Sequence, residues 1–163
     1  MQHKETRILG IDPGLATLGF GYIVCDQERN SSVPKFLDAG IIETSAELSL
    51  GERLAVIYSD LHELLEEYRP DLVSIEKLFF YRMSTTIPVA QARGVVILVL
   101  AQLKIPIIEY TPNQVKQALT GHGKADKRSV QESVARELNL EKIITPDDAS
   151  DALALALTAW LNR

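Results

Sequence analysis

Arg7-Ile8-Leu9-Gly10-Ile11-Asp12-Pro13-Gly14 and Leu72-Val73-Ser74-Ile75-Glu76 decide the fold. Each is a short apolar run of strand character that ends on a carboxylate, and Pro13-Gly14 stops the first with a strong turn dipeptide. A third acidic place lies near the C-terminus, where Asp148 and Asp151 stand at helical i,i+3 spacing. Acids that end buried strands need an offset for their charge. The simplest is divalent metal, held by oxygen ligands gathered from distant parts of the chain.

Working outward, Gly19 to Cys25 alternates as a second strand, and Lys35 to Glu43 gives a third after a polar turn. The short links make the first three strands an antiparallel meander. Ser49 and Glu52 form a capping box. Leu54, Ile57, Tyr58, Leu61, Leu64, Leu65 and Tyr68 then mark one face of a long helix, which Arg69-Pro70 ends. Leu72 to Glu76 is the fourth strand. Ser84 to Leu103 reads as a second helix, with Pro88 tolerated near its start and Val95-Val96-Ile97 weakening the pattern. Ile105 to Tyr110 is the fifth strand. Thr111-Pro112-Asn113-Gln114 starts a helix with Thr as N-cap, Pro at N1 and Gln at N3. Gly121-His122-Gly123 breaks the pattern, which resumes near Asp126 and runs to about Leu138. Thr145-Pro146-Asp147-Asp148 repeats the cap-and-proline start for a last helix reaching Trp160. The expectation is one domain over residues 1–163, α/β in class. It has a five-stranded mixed sheet, three antiparallel strands then two parallel, flanked by helices.

A chain of 163 residues with 46% hydrophobic and 24% charged content can bury a core without staples. Cys25 is the only cysteine, which excludes an intramolecular disulfide and a multi-cysteine zinc site. Met1 to Arg7 is polar, unlike a secretory signal, and the apolar run Val95 to Ala101 is far short of the roughly 20 residues that span a bilayer. A cytoplasmic protein with no membrane partner is expected. The net charge of −5 argues mildly against nucleic acid. Its distribution does not, because Lys116, Lys124, Lys127, Arg128 and Arg136 face only Asp126 and Glu132 in their stretch.

Strands 1 and 4 would lie side by side, each presenting an acid near its C-terminal end. The last helix is apolar on nearly every side, so it packs on the sheet and carries its N-terminal acids toward Asp12 and Glu76. Clustered carboxylates repel, and burial raises their pKa. One or two Mg²⁺ ions relieve both, and two such ions can stabilise the attacking and leaving oxygens of phosphodiester cleavage. Each acid also has a structural reading. Asp12 can begin a turn, Glu76 can pair with Lys77, and Asp147 or Asp148 can serve the helix dipole. Spacing does not choose between Asp147 and Asp148 as the partner of Asp151.

The accessory residues carry a weaker signal. Phe79-Phe80-Tyr81 after a strand is either core or an exposed aromatic that stacks on a base, and Arg82 beside it suits a phosphate. Lys116 is either a surface residue or a charge on the transition state. Lys124, Lys127 and Arg128 flank a glycine-rich break where amides and cations can meet phosphate. His122 is read as a turn residue. The run Val95 to Leu100 is too apolar for a helix with a solvent face; it lies under the sheet or beneath a second subunit.

Five motifs occur in order along almost the whole chain: Ile8-Leu9-Gly10-Ile11-Asp12-Pro13-Gly14, Ser74-Ile75-Glu76-Lys77-Leu78-Phe79-Phe80, Ala90-Gln91-Ala92-Arg93-Gly94, Gln114-Val115-Lys116-Gln117 and Asp148-Ala149-Ser150-Asp151-Ala152-Leu153-Ala154-Leu155-Ala156. In these the chain resembles the RuvC family of Holliday-junction resolvases, which have a ribonuclease H-like fold. The resemblance implies a homodimer that binds four-way DNA junctions, nicks two opposed strands symmetrically in recombination and repair, and depends on Mg²⁺ or Mn²⁺. It also implies cooperation with the RuvA–RuvB branch-migration complex. Position by position, the family's metal-binding catalytic acids fall on Asp12, Glu76, Asp148 and Asp151. Phe79 falls on an aromatic set against junction bases, and Lys116 and Lys127 fall on lysines near the scissile phosphate. The pattern departs at Lys77 and between Arg82 and Pro88, which bears on the junction-facing loop and not on the metal site.

Other readings differ in class. A sugar kinase or actin-like ATPase shares the Asp-X-Gly loop, but needs two such domains and a second phosphate loop. A non-catalytic junction-binding protein has no need of the four acids. A ribonuclease H-like nuclease acting on another nucleic acid would lack the Phe79, Lys116 and Lys127 matches.

Overall fold

The structure, a computed structural model, describes residues 5–26, 33–78 and 83–163. Its strands are β1 (Glu5–Asp12), β2 (Thr17–Asp26), β3 (Lys35–Glu43), β4 (Leu72–Glu76) and β5 (Ile107–Tyr110). They form one sheet in the order β3-β2-β1-β4-β5. β1 pairs antiparallel with β2, and β2 with β3, while β4 lies parallel to β1 and β5 parallel to β4. This is the mixed five-stranded sheet that the sequence implies. The helices are α1 (Leu50–Tyr68), α2 (Met83–Gln102), α3 (Pro112–Thr120), α4 (Lys127–Glu137) and α5 (Asp147–Leu161).

Side chains alternate across a strand, so each strand feeds two cores. Leu9, Ile11, Val73 and Ile75 point to one face and pack with Ile57, Leu61 and Leu65 of α1 and Ala92, Val96, Val99 and Leu100 of α2. Ile8, Ile23 and Cys25 point to the other and pack with α3, α4 and α5. By the same alternation Gly10 and Asp12 of β1, and Ser74 and Glu76 of β4, share the α5 face. Every residue of α5 from Ala149 to Trp160 is buried except Asp151, which is half-buried. Its all-round apolar character reflects a helix laid between the sheet and two further helices.

Three strand glycines set how close α5 comes. A Cβ on Gly10 would meet the Ala152 carbonyl, one on Gly19 the Asp148 backbone, and one on Gly21 would stand 2.6 Å from the Leu153 nitrogen. Gly10 and Gly21 are paired across the ladder, as are Asp12 and Gly19. The central strands therefore offer bare backbone to the helix. The buried Ser74 hydroxyl adds a direct tie, donating to the Leu155 carbonyl at 2.8 Å.

The caps on α1 and α3 are as the sequence indicates. The Ser49 amide donates to Glu52 Oε2 at 2.8 Å and the Glu52 amide to Ser49 Oγ at 3.4 Å. The Thr111 amide donates to Gln114 Oε1 at 2.8 Å and the Gln114 amide returns to Thr111 Oγ1 at 3.2 Å. Gly121 closes α3 at φ 79°, where only glycine is unstrained. Two expectations need correction. β5 begins at Ile107 rather than Ile105, because the Ile105 amide is still bonded to the Leu100 carbonyl behind it. α5 begins at Asp147, with Pro146 as an N-cap that offers no side-chain bond, so Thr145 does not cap it. The last helix thus starts on its two acids.

α2 resolves the apolar run in two ways at once. Val96, Val99 and Leu100 are buried under the sheet, whereas Met83, Ile87 and Leu98 are 66%, 48% and 50% exposed. With Gly94 these exposed residues form one stripe along the helix. By length and composition alone α2 could cross a membrane, but its other side belongs to the core around α1.

Gly21→Ala is expected to destabilise the protein by about 1–3 kcal/mol, because the added methyl overpacks a backbone contact. Gly51→Ala, which adds its methyl in open space on α1, should be neutral or slightly stabilising. Urea denaturation checks both; equal midpoints for the two variants would refute the tight seating of α5.

Candidate active site

Asp12 is the last residue of β1 and Glu76 the last of β4. Ile11 pairs with Ile75, so the two acids extend from adjacent strands at the same level and on the same face. Asp148 and Asp151 descend onto that face from the first turns of α5, with the Asp148 backbone against Gly19. Three segments far apart in sequence are brought together, although Asp148 is not among the residues that line the cleft. Asp12, Glu76 and Asp151 line a cleft of about 250 Å³ together with Lys116, Lys127, Pro112, Val115 and Val130.

The carboxylates feel one another. Burial first, then the negative charges of Glu76, Asp151 and Asp148, push Asp12 up to about 8, and Lys127 pulls it back only in part. Glu76 is raised by burial and by Asp151. Asp151 is raised chiefly by burial, against the hydrogen bond and charge of Lys127. Burial is the largest of these causes for Asp12, and the crowding of acids adds to it.

Lys127 is the counter-charge. As the first residue of α4 it places Nζ 3.1 Å from Asp147 Oδ2 and 3.1 Å from Asp151 Oδ2. Burial opposes its charge, but the bonds to the two aspartates outweigh that and raise its pKa. Asp147 is held below its ordinary value by the same bond. The sequence placed Lys127 near the site but gave no sign of this bridge. Its partners lie twenty and more residues away, and only the packing of α4 on α5 joins them.

The all-carboxylate donor set suits a hard divalent cation, which would offset both the burial of Asp12 and its repulsion by the neighbouring acids. Among the described residues no three such side chains are yet drawn around one point.

The other residues singled out from sequence fall as follows. Lys116, half-buried on α3, reaches the cleft. Lys124 is exposed in the turn before α4, and Arg128 is exposed and paired with Glu132 at 2.9 Å. Phe79, Phe80 and Arg82 lie outside the described residues. His122 sits in the α3–α4 turn, its amide bonded to the Thr120 hydroxyl. A second hollow of about 220 Å³ shares Glu76 and Pro112 with the first and is lined by Lys77 and Arg93. Arg93, which lines this hollow and forms an ion pair with Glu109 across α2 and β5, carries no site signal in the sequence. An arginine inside a helical pattern gives no hint of an acid on a strand.

The raised Asp12 has a consequence for stability. Its folded pKa of about 8 exceeds the ordinary value of 3.8. Its contribution is therefore full at low pH and is lost as pH rises toward 8. In EDTA, Asp12→Asn is expected to raise the melting temperature, by little near pH 4 and by progressively more up to pH 8. A constant difference across that range would sink this account.

The family model for crossover junction endodeoxyribonuclease RuvC matches residues 8–159. The RuvC of Gloeobacter violaceus is 54% identical over 157 residues, which cover 96% of this chain and 89% of the relative. That of Synechococcus sp. strain RCC307 is 54% identical over the same length, covering 96% and 99%. Among solved structures, Thermus thermophilus RuvC in complex with a Holliday-junction substrate is similar at a TM-score of 0.89 and 34% identity, covering 96% of this chain and 94% of that one. The sheet and its helices thus have the ribonuclease H-like architecture, and the chain belongs to the RuvC family of crossover junction endodeoxyribonucleases.

Proposed function

We propose that this protein is a structure-selective endodeoxyribonuclease that resolves four-way Holliday junctions by paired, symmetric nicks in DNA recombination and repair. Asp12, Glu76, Asp148 and Asp151 are its metal ligands and catalytic acids. The observation that carries the reading is the meeting of acids from β1, β4 and α5 in one cleft, with Asp12 pushed up to about 8 by burial first and then by the neighbouring acids.

The protein's own part is to hold charge in place. Asp12 and Glu76 sit on adjacent strand ends and Asp148 and Asp151 on a buried helix, so their positions follow from backbone packing. Two divalent ions, Mg²⁺ or Mn²⁺, supply neutralisation of the attacking and leaving oxygens when bound. Lys116 lines the same cleft and stabilises the charge that builds on the scissile phosphate. Lys127 adds a second cation there. Lys124 and Arg128 contact the DNA backbone from the α3–α4 turn and the start of α4, Arg128 on leaving Glu132. Phe79 and Phe80 are the aromatics assigned to stacking on junction bases, and Arg82 is assigned to a phosphate.

Two nicks need two sites. The exposed stripe Met83, Ile87, Gly94 and Leu98 on α2 suits a second copy of the chain, giving a homodimer of one nuclease domain per subunit. It works in the cytoplasm with the RuvA–RuvB branch-migration complex.

The deciding experiment uses end-labelled synthetic four-way junctions and matched linear duplexes with Mg²⁺, Mn²⁺ or EDTA. Metal-dependent paired nicks in junctions alone, absent in Asp12→Asn, are expected. Junction binding without nicking in either metal would make the protein a non-catalytic binder, and cutting of another nucleic acid would make it a related nuclease. Light scattering at micromolar concentration should give a dimer that Leu98→Glu converts to monomer; a monomeric wild type would refute the α2 interface.

A further inference from the structure

Lys127 stands between two carboxylates of unequal kind. Asp147 and Asp151 are four apart on α5, so they share a helix face and grip one ammonium between them, each at 3.1 Å. Asp151 lines the cleft with Asp12 and Glu76, and its side chain is 36% exposed. Asp147 is 62% exposed and stands outside the cleft lining. Its second oxygen, Oδ1, accepts from Gln131 Nε2 at 3.1 Å. Gln131 follows Lys127 by one turn of α4, so Asp147 is fixed by both residues of that helix face. An acid spent only on the dipole of α5 would need neither partner.

We propose that Asp147 is a positioning residue of the nuclease site: it holds Lys127 at the lip of the cleft and shares its ammonium, which eases the competition of that ammonium with a divalent ion for Asp151. The inference rests on the metal-ligand reading of Asp12, Glu76, Asp148 and Asp151. Before an ion arrives, Lys127 serves as a stand-in cation, offsetting part of the repulsion among the acids. Once an ion takes Asp151, the lysine keeps Asp147 and is not released into solvent. Its charge remains within side-chain reach of the place a phosphate would occupy. Asp147 thus converts a lysine with a long, mobile stem into one with a fixed anchor on each side of the exchange.

The test is calorimetric titration of the full chain with Mn²⁺ alone, without DNA. Lys127→Met should tighten Mn²⁺ binding by about two- to fivefold, the range expected for removal of a partly exposed ion pair. Lys124→Met, which removes the same charge from the preceding turn, should change it far less. Asp147→Asn should weaken Mn²⁺ binding in the wild-type background and leave it unchanged in Lys127→Met, because its action passes through the lysine. A loss of equal size in both backgrounds would make Asp147 a plain negative charge and overturn the proposal. An unchanged affinity in Lys127→Met would do the same. If Asp12→Asn leaves the wild-type isotherm intact, the ligand assignment itself fails, an outcome separate from the other two. Melting temperatures of all variants identify any that bind weakly because they are unfolded.

Discussion

The close seating of α5 on β1 and β2 is the constraint on which the rest of the structure depends. Gly10, Gly19 and Gly21 leave no side chain between sheet and helix, and the small Ala152 and Ala156 meet Gly10 from the other side. Backbone rests on backbone, and the Ser74–Leu155 hydrogen bond pins the register. The level at which Asp148 and Asp151 meet the strand ends is therefore set by main-chain contact and not by flexible side chains. Bulkier residues at those strand positions would lift the helix and separate its acids from Asp12 and Glu76, even with every carboxylate retained. Active-site geometry here is a packing property.

The same packing supplies the energy that the acids cost. Raising Asp12 from 3.8 to about 8 corresponds to a penalty on the order of 5 kcal/mol for its charged form. Full burial of one leucine-sized side chain contributes ~1.5–3 kcal/mol. Leu153, Leu155, Leu157 and Trp160 of α5 are all buried in the same core as Ile8 and Ile23. A few of these contacts outweigh the electrostatic strain, so the fold persists with its acids forced together. That cost falls where an added cation would relieve it, which would tie the stability of the fold to occupation of the site.

Much of this was legible from residue order because strand alternation and helix capping are local rules. Asp12 and Glu76 announce themselves by ending apolar strands, and Thr111 with Gln114 marks the helix that carries Lys116 to the cleft. What escaped reading depends on contacts between distant segments. A glycine in a strand does not reveal the helix that presses on it, and Gly10 was read only as part of an apolar run. Thr145-Pro146 looks like a cap, yet the helix starts a residue later on Asp147, whose charge is met by Lys127 and not by a hydroxyl. The bridge from Lys127 to Asp147 and Asp151, and the pair Arg93–Glu109, arise only when helices and strands have been placed. Net charge also misled: −5 for the chain says nothing about two lysines lining an acid cleft.

Those two lysines show why a net-acidic protein can engage a polyanion. Asp12, Glu76 and Asp151 are half-buried in the cleft, where divalent cations would neutralise them, and Lys116 and Lys127 line the same cleft, so an approaching phosphate meets cations there as well as carboxylate. The sign of the field at the cleft then depends on how many acids are paired or protonated. Without a compensating ion the acid cluster would oppose DNA, and with one the lysines would weigh more. Under the proposed metal assignment, occupancy and DNA binding would be coupled through charge. Substrate would be drawn in most strongly when the site holds the ions that cleavage requires.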